Sequence, residues 1–314
     1  MTDTHHLDIH ASIEKLRTNI KTAIKGKDEA IDLALTTLIA RGHLLIEDAP
    51  GVGKTTLAES LAKSIGLQFS RIQFTSDLLP SDVLGVTIYN QSNHEFQFKQ
   101  GPIFSNIVLA DEINRATPKT QSALLEAMSE KQISMENSTY KLPDTFMLIA
   151  TQNPIEYSGT FPLPESQLDR FTMRLSLGYP DEAIEAEILM AKSSKGKVET
   201  VPVITGEELK AIQTKAEEVT IDEDLVKYIV SIAKMTREHV DILLGVSTRA
   251  SLSLVTAVKA YALVLGRDFV TADDIKTLVV PAFSHRIVTR QDRESLATGE
   301  LILREILDET PVPL

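Results

Sequence analysis

One stretch of the chain decides the fold, and it covers residues 44–58. It reads Leu44-Leu45-Ile46-Glu47-Asp48-Ala49-Pro50-Gly51-Val52-Gly53-Lys54-Thr55-Thr56-Leu57-Ala58. The apolar run at its start is typical of a buried strand, and the residues after the glycines favour a helix. A glycine-rich turn between a strand and a helix is the context of a phosphate-binding loop, because backbone N–H groups and the helix N-terminus both attract an anion.

Different residues of this loop are predicted to contact the phosphates and the Mg²⁺ of a nucleotide. The predicted binding residues are Asp48, Ala49, Pro50, Gly51, Val52, Gly53, Lys54, Thr55 and Thr56. The glycines let backbone N–H groups close around phosphates, and Lys54 supplies a point charge for the β- and γ-phosphates. The Thr55 hydroxyl can bind Mg²⁺. Asp48 departs from the usual pattern, which begins with glycine, so we expect a φ at this position that aspartate tolerates.

The first half of the chain alternates β-rich runs with helical patterns, which predicts a parallel sheet with helices on both faces. Further strands are predicted at residues 69–74, 106–110 and 146–150, and helices at 12–40, broken near Gly26, at 55–65 and at 117–129. Two segments, 87–98 and 132–142, alternate polar with apolar residues and contain turn formers. Each predicts an inserted β-hairpin.

The character of the chain changes after Pro180, because almost everything that follows is amphipathic helix. The predicted helices cover residues 182–191, 206–218, 223–239, 248–265 and 272–280. We therefore predict an α/β nucleotide-binding core over residues 1–180 and a smaller all-α lid domain over 181–314.

Acidic and amide side chains follow two of the predicted central strands. Asp111 and Glu112 come directly after the apolar run 107–110, and Asn153 follows the run 146–150. Ligands sit at the carboxyl ends of parallel strands. In a phosphate-loop site Asp111 would hold Mg²⁺ through water, and Glu112 would orient and deprotonate an attacking water. Asn153 would hold the water or the γ-phosphate without competing for the metal.

Composition narrows the choice of function and compartment. The chain of 314 residues has no cysteine, which excludes disulfides, thiolate metal sites and cysteine catalysis. It has no apolar run of the length that a membrane span needs, so we expect a cytoplasmic, soluble protein. The net charge of −12 argues against nucleic acid as the partner.

Several longer strings resemble the MoxR family of AAA+ ATPases, in its helix-2-insert group. They are GPIF at 101–104, LADEINRA at 109–116, QSALLEAM at 121–128, ATQNP at 150–154 and LPESQLDRF at 163–171. The resemblance covers essentially the whole chain. It implies a phosphate-loop AAA+ fold with a helical lid, ATP and Mg²⁺ as ligands, and a ring that is typically hexameric.

The resemblance also implies roles for arginines. Arg170, in the Leu-Asp-Arg-Phe string, matches the arginine finger that completes the site of the neighbouring subunit, with Arg174 as the reserve candidate. Arg249 in the string GVSTRA at 245–250 matches the second sensor, which reaches from the lid to the γ-phosphate of its own subunit. Relatives commonly act on proteins with a von Willebrand factor A domain, in chaperone-like maturation.

Three rival interpretations stay open at this stage. A DNA-acting or chelatase-like AAA+ motor shares the inserted hairpins, but the segments 87–98 and 132–142 lack the basic residues that would hold a phosphate backbone. A second rival is a low-turnover ATP-binding switch. The presence of Glu112 and Arg170, which hydrolysis would use, argues against it. A small-molecule kinase would need an acceptor pocket and would have no use for Arg170. We therefore predict an ATP hydrolase that remodels a partner protein.

Overall fold

The computed structural model describes residues 8–92, 94–135, 138–153, 159–193, 200–290 and 296–313. The strands are β1 (Leu44–Glu47), β2 (Phe69–Gln73), β3 (Gly85–Asn90), β4 (Glu95–Gln100), β5 (Ile107–Asp111), β6 (Gln132–Met135), β7 (Ser138–Lys141), β8 (Met147–Gln152), β9 (Met173–Leu175), β10 (Ile242–Leu244) and β11 (Val288–Thr289). The helices are α1 (Ile9–Ala23), α2 (Asp28–Ile39), α3 (Lys54–Ile65), α4 (Pro80–Leu84), α5 (Pro118–Glu130), α6 (Glu165–Leu168), α7 (Glu182–Ser193), α8 (Gly206–Glu218), α9 (Glu223–Glu238), α10 (Thr248–Val264), α11 (Ala272–Phe283) and α12 (Leu296–Glu309). Pro154 of the ATQNP string and the turn residues Asn93, Glu136 and Asn137 lie outside the described residues.

A five-stranded sheet organises the first half of the chain, in the order β2-β5-β8-β1-β9. All four neighbouring pairs are parallel. This confirms the predicted α/β class, and it places β8 between β1 and β5. The carboxyl ends of these three strands therefore meet at one edge, where the phosphate loop, Asp111 and Asn153 follow them.

Both faces of the sheet are buried, which explains why its strands read as continuous apolar runs. Leu44 and Ile46 of β1 pack into one apolar cluster, and Leu45 between them packs into the other. The second cluster also takes Leu124, Leu125 and Met128 of α5. The helix predicted at 117–129 thus turns its apolar stripe toward the sheet, as expected.

One apolar cluster connects the N-terminal helices to the helical second half. It includes Leu16 of α1, Leu35 of α2, Leu209 of α8, Leu254 of α10 and Leu278 of α11. The helical part therefore packs directly on α1 and α2. The division of the chain at residue 180 stays a prediction.

Both hairpins form where the sequence predicts them. Residues of β3 and β4 pair antiparallel from Gly85 with Gln100 to Asn90 with Glu95, and β6 pairs with β7 in the same manner. The two hairpins touch, because the rings of Phe98 and Tyr140 stack with their centroids 4.1 Å apart.

The helical half departs from the sequence predictions at its end. Helix α11 continues to Phe283 with Pro281 inside it, although the prediction stops at residue 280. Proline there removes one N–H donor in the last turn, and the buried Ala282 and Phe283 keep that turn packed. Helix α12 was not among the predicted helices. In the part of the chain that the structure describes, no helix is long and apolar enough to cross a membrane.

Candidate nucleotide site

The phosphate loop leaves β1 and ends at the first residue of α3. Gly51 and Gly53 have φ values of 87° and 106°, a region that side chains with Cβ rarely enter. No atom would crowd a Cβ at either position, so glycine is required here by the backbone and not by space. Gly53 is the N-cap of α3 and makes no side-chain cap bond. The first N–H groups of α3 are thus left to face an anion.

Lys54 is held at the centre of this loop. Its Nζ donates to the main-chain oxygen of Asp48 at 2.7 Å. Burial lowers the pKa of Lys54, while the nearby carboxylates of Asp111, Asp48 and Glu112 act in the opposite direction. These acids lie close enough to influence the lysine, so the loop and the acidic pair belong to one site.

Asp48 has a φ that aspartate tolerates, as expected, because it is not among the residues with positive φ. Among the described residues, the non-glycine positions with positive φ are Arg41, His94, Glu112 and Lys131. Its side chain is buried and bonded within the chain. Oδ1 accepts from the N–H of Ala49, and Oδ2 accepts from residues that follow β9.

Asp111 is the last residue of β5, and its carboxylate is bonded on both oxygens. Oδ1 accepts from the Thr151 hydroxyl at 2.6 Å. Oδ2 accepts from Nε of Arg71 at 3.0 Å and from a terminal nitrogen of Arg71 at 2.6 Å. A cation on the edge strand β2 thus occupies one oxygen of the carboxylate that the prediction assigns to Mg²⁺.

Glu112 adopts the left-handed conformation, with φ 57° and ψ 48°. For a residue with a Cβ this costs roughly 1 kcal/mol, and such strain is common at functional sites. The Thr151 hydroxyl holds the backbone by accepting from the Glu112 N–H at 2.9 Å. Oε2 accepts from the Gln73 amide at 2.8 Å and lies 3.1 Å from Nε of Arg115. The carboxylate is therefore held at the sheet edge next to Asp111.

Asn153 directly follows β8, the strand between β1 and β5. Strands β5 and β8 pair directly, so their carboxyl ends bring Asn153 to the same place as Asp111 and Glu112. Its part in holding a water stays a prediction.

The donor set suits Mg²⁺ that arrives with a nucleotide. Thr55 and Asp111 offer oxygen ligands, which Mg²⁺ prefers, and it is usually held by one or two carboxylates plus phosphates and waters. Among the described residues no group of three or more His, Cys, Asp or Glu side chains could hold a metal.

Arg170 and Arg174 make different contacts. Arg170 donates to the main-chain oxygen of Leu125 at 2.8 Å and to the Ser129 hydroxyl, both in α5. Arg174 lies in β9, where it pairs with Glu47 at 2.9 Å and also with Glu300 of α12. Only 10% of the Arg174 side chain is exposed, so this arginine is committed to carboxylates of its own chain. Both of these Arg170 partners are neutral oxygens of α5, and its role as the arginine finger stays a prediction.

Arg249 is exposed in the first turn of α10, near the amino edge of the sheet. Ser247, the N-cap of this helix, donates to the two Asp169 oxygens at 3.1 and 3.0 Å. Asp169 belongs to the segment before β9, where the Thr172 N–H donates to the oxygen of His43, the residue before β1. The phosphate loop leaves the other end of β1, and four strand residues span about 13 Å. The start of α10 is therefore bonded on the opposite side of β1 from the phosphate loop, and the role of Arg249 as the second sensor stays a prediction.

Three side chains of the site escaped sequence reasoning. Arg71 and Gln73 alternate on the edge strand β2 and hold the Asp111 and Glu112 carboxylates. The Thr151 hydroxyl donates to the Asp111 carboxylate and accepts from the Glu112 N–H. Thr151 belongs to the string ATQNP at 150–154, so the family resemblance could have identified it as a site residue. Nothing in the local pattern of residues 69–73 distinguishes Arg71 and Gln73 from ordinary exposed residues of a strand.

A cavity of about 600 Å³ lies where the N-terminus of α2 meets the end of β9 and helices α11 and α12. Its lining includes Gly26, Lys27, Leu177, Pro281 and Arg304. Leu177, which lines the cavity, also donates its N–H to the Asp48 carboxylate. The cavity therefore adjoins the start of the phosphate loop.

Known proteins match both parts of the chain. The model of the ATPase family associated with various cellular activities (AAA) matches residues 43–173, and that of the AAA lid domain matches residues 234–306. The Bacillus subtilis protein YeaC, itself uncharacterised, is 47% identical, covering 98% of this chain and 97% of its own length. Chaperone MoxR1 of Mycobacterium tuberculosis is 37% identical over 98% of this chain and 83% of its own. A crystal structure of a Cytophaga hutchinsonii protein assigned as an ATPase superposes with a TM-score of 0.89, at 38% identity, covering 98% of this chain and 96% of that one.

The fold, the phosphate loop and these matches define the class: this is an AAA+ ATPase with a helical lid, a class that binds nucleotides. Within that class the chain belongs to the MoxR family.

Proposed function

We propose that the chain hydrolyses Mg-ATP at sites shared between subunits of a hexameric ring, the assembly that the family resemblance implies, and uses the cycle to remodel a partner protein. One observation carries the proposal. The strand order brings the phosphate loop, Asp111, Glu112 and Asn153 to a single edge of the sheet. These are the groups that ATP hydrolysis needs in one subunit.

The residues divide the reaction as follows. Lys54 and the N–H groups of the loop bind the β- and γ-phosphates, and Thr55 and Asp111 hold Mg²⁺, which neutralises phosphate charge when bound. Glu112 accepts a proton from water as the water oxygen attacks the γ-phosphorus. The bond from that phosphorus to the β,γ-bridging oxygen breaks, and ADP and phosphate leave. Asn153 orients the water.

Arginines complete the site from the next subunit. Arg170 lies at the amino edge of the sheet, away from its own phosphate loop, and a fixed guanidinium charge stabilises a transferring phosphoryl group. Ser247 anchors α10 to Asp169, the residue before Arg170. Arg249 therefore lies on the same side of the subunit, and we place it with Arg170 in the neighbour's site.

A protein client is the partner that the surface supports best. The hairpin of β3 and β4 exposes Phe96 and Tyr89, which are 75% and 49% accessible. Its charges are mixed, because β4 carries both Glu95 and Lys99, so the hairpin offers no basic track for DNA. The relative MoxR1 is named as a chaperone. We extend that role to this chain, with proteins containing a von Willebrand factor A domain as the first clients to test.

Mixing two inactive variants tests the shared site. Glu112→Gln removes the base but leaves Arg170 for a neighbour, whereas Arg170→Ala leaves Glu112. In an equal random mixture about one quarter of the sites pair an intact Glu112 with an intact neighbouring Arg170. We expect each variant alone to be inactive and the mixture to regain activity. Lys234→Ala, which removes an exposed lid cation, should behave as wild type in the same assay.

The outcomes separate the alternatives. No recovery on mixing, with both variants still assembled, would contradict a site shared through Arg170. The same mixture made with Arg249→Ala tests whether Arg249 serves its neighbour, because a residue that serves its own subunit cannot be rescued. Activity of the wild type that rises with DNA and not with client protein would favour the DNA motor.

A further inference from the structure

The carboxylate of Asp48 joins the start of the phosphate loop to a distant segment. Its Oδ2 accepts from the Ser176 hydroxyl at 2.9 Å, the Leu177 N–H at 2.6 Å and the Gly178 N–H at 2.7 Å. Its Oδ1 accepts from the Ala49 N–H at 2.8 Å. The residue is only 8% exposed, so both oxygens are used inside the chain. Glycine, the usual first residue of this loop, could make none of these side-chain bonds.

The segment that Asp48 holds leads from the sheet to the helical part. Residues 176–178 follow β9 and precede α7. Gly178 has φ 61°, and this turn directs its N–H and that of Leu177 to the same oxygen. One residue later, Lys27 donates to the main-chain oxygen of Tyr179 at 2.7 Å. The Asp48 bonds are therefore made where the chain leaves the sheet toward α7.

The same residue is bonded to the lysine of the loop. Lys54 donates to the main-chain oxygen of Asp48, while the Asp48 side chain holds residues 176–178. A phosphate that draws Lys54 toward itself competes with the bond to the main-chain oxygen. Any resulting shift of the Asp48 backbone is passed to the segment before α7 by three short hydrogen bonds.

We propose that Asp48 is a positioning residue, which does not contact the nucleotide but couples the phosphate loop to the segment that carries the helical lid. This inference rests on the proposed ATP site. Its consequence is that Asp48 determines turnover and the response of α7 to ATP, while nucleotide affinity depends on the loop glycines and Lys54.

Three variants separate bonding from charge. Asp48→Gly restores the usual loop residue and removes every side-chain bond. Asp48→Asn removes the charge, but its amide oxygen can still accept from Leu177 and Gly178. Ser176→Ala removes one donor and keeps both backbone donors. We expect kcat to fall about tenfold in Asp48→Gly and about twofold in Ser176→Ala, with KM for ATP within about threefold of wild type. Asp48→Asn should recover most of the loss.

Movement of α7 supplies a readout that needs no turnover. The chain has no cysteine, so Ala186→Cys on α7 and Glu126→Cys on α5 can carry a donor and an acceptor dye. Both positions are exposed. In a Glu112→Gln background, diluted with unlabelled subunits, we expect ATP to change the energy transfer, and Asp48→Gly to abolish that change at ATP concentrations that saturate binding.

The results distinguish this inference from the proposed function. An Asp48→Gly protein with wild-type kcat and an unchanged dye response would overturn the coupling. A rise in KM with unchanged kcat would make Asp48 a nucleotide contact instead, and equal losses in Asp48→Gly and Asp48→Asn would assign the effect to charge. If Asp48→Gly fails to fold, Ser176→Ala and Asp48→Asn still decide between these outcomes. A wild type that binds ATP and moves α7 without hydrolysis would refute the ATPase proposal and leave the coupling intact.

Discussion

If Asp111 holds Mg²⁺ as proposed, Arg71 competes with the metal for this carboxylate, and replacing Arg71 with glutamine should lower the magnesium requirement of ATP hydrolysis. The arginine donates to Oδ2 of Asp111 at 3.0 and 2.6 Å. The Arg71 side chain is 48% exposed and that of Asp111 is 12% exposed, so solvent screens the pair considerably. We therefore assign it about 1 kcal/mol, which corresponds to about a fivefold change in the Mg²⁺ concentration at half-maximal rate.

The assay measures the ATPase rate at saturating ATP while free Mg²⁺ is varied with a chelating buffer. Arg71→Gln should reach half its maximal rate at the lower Mg²⁺ concentration. Lys63→Gln is the matched control, because it removes a cation that pairs with Glu59 on the exposed side of α3. An unchanged or increased requirement in Arg71→Gln would refute the competition and would mean that Arg71 supports the active geometry of Asp111.

Other predictions concern stability and the geometry of the acids. Burial lowers the pKa of His43 from 6.5 to about 3. The unfolded chain therefore takes up a proton at this residue as pH falls from 7.5 to 5.5 and the folded chain does not, which removes about 1.4 kcal/mol of stability. The free energy of unfolding in urea should therefore fall less between these two pH values in His43→Gln than in the wild type. A pH dependence identical to that of the wild type would contradict the low pKa of His43. Thr151→Val removes the hydroxyl that holds both the Glu112 N–H and the neighbouring aspartate, so kcat should fall more than about tenfold with little change in KM for ATP, and Thr151→Ser should restore it. A loss shared equally by the serine variant would argue against the hydrogen bonds. Arg174→Ala leaves the partly buried Glu47 carboxylate without its cation and should lower the free energy of unfolding in urea by about 3 kcal/mol. An unchanged stability with lost ATPase activity would identify Arg174 as the arginine finger.

Much of the fold was predictable because it depends on short windows of sequence. The strand predicted at 44–47 has those bounds in the structure, and the helix predicted at 206–218 does too. Alternation and turn formers located both hairpins. The end of α11 was predicted too early, because Pro281 normally terminates a helix, whereas here the packing of Phe283 holds the last turn.

The phosphate loop and the acidic pair were also predictable, because their chemistry is carried by neighbouring residues in a strand, turn and helix context. Their partners were not. Arg71 and Gln73 lie about forty residues before the acids that they hold, and only the pairing of β2 with β5 brings them together. The distance in sequence between these residues does not indicate that β2 and β5 pair.

By itself, the sequence determined the class of fold, the position of the phosphate loop and the family. Only the tertiary structure decided that Asp48 is bonded to residues 176–178, that Arg174 is committed to Glu47, and that Ser247 at the start of α10 is bonded to Asp169. The physical reason is that backbone preference and hydrophobic periodicity act over a few residues. Contacts between distant side chains depend on strand order and on how the helices pack, and these are set by the whole chain.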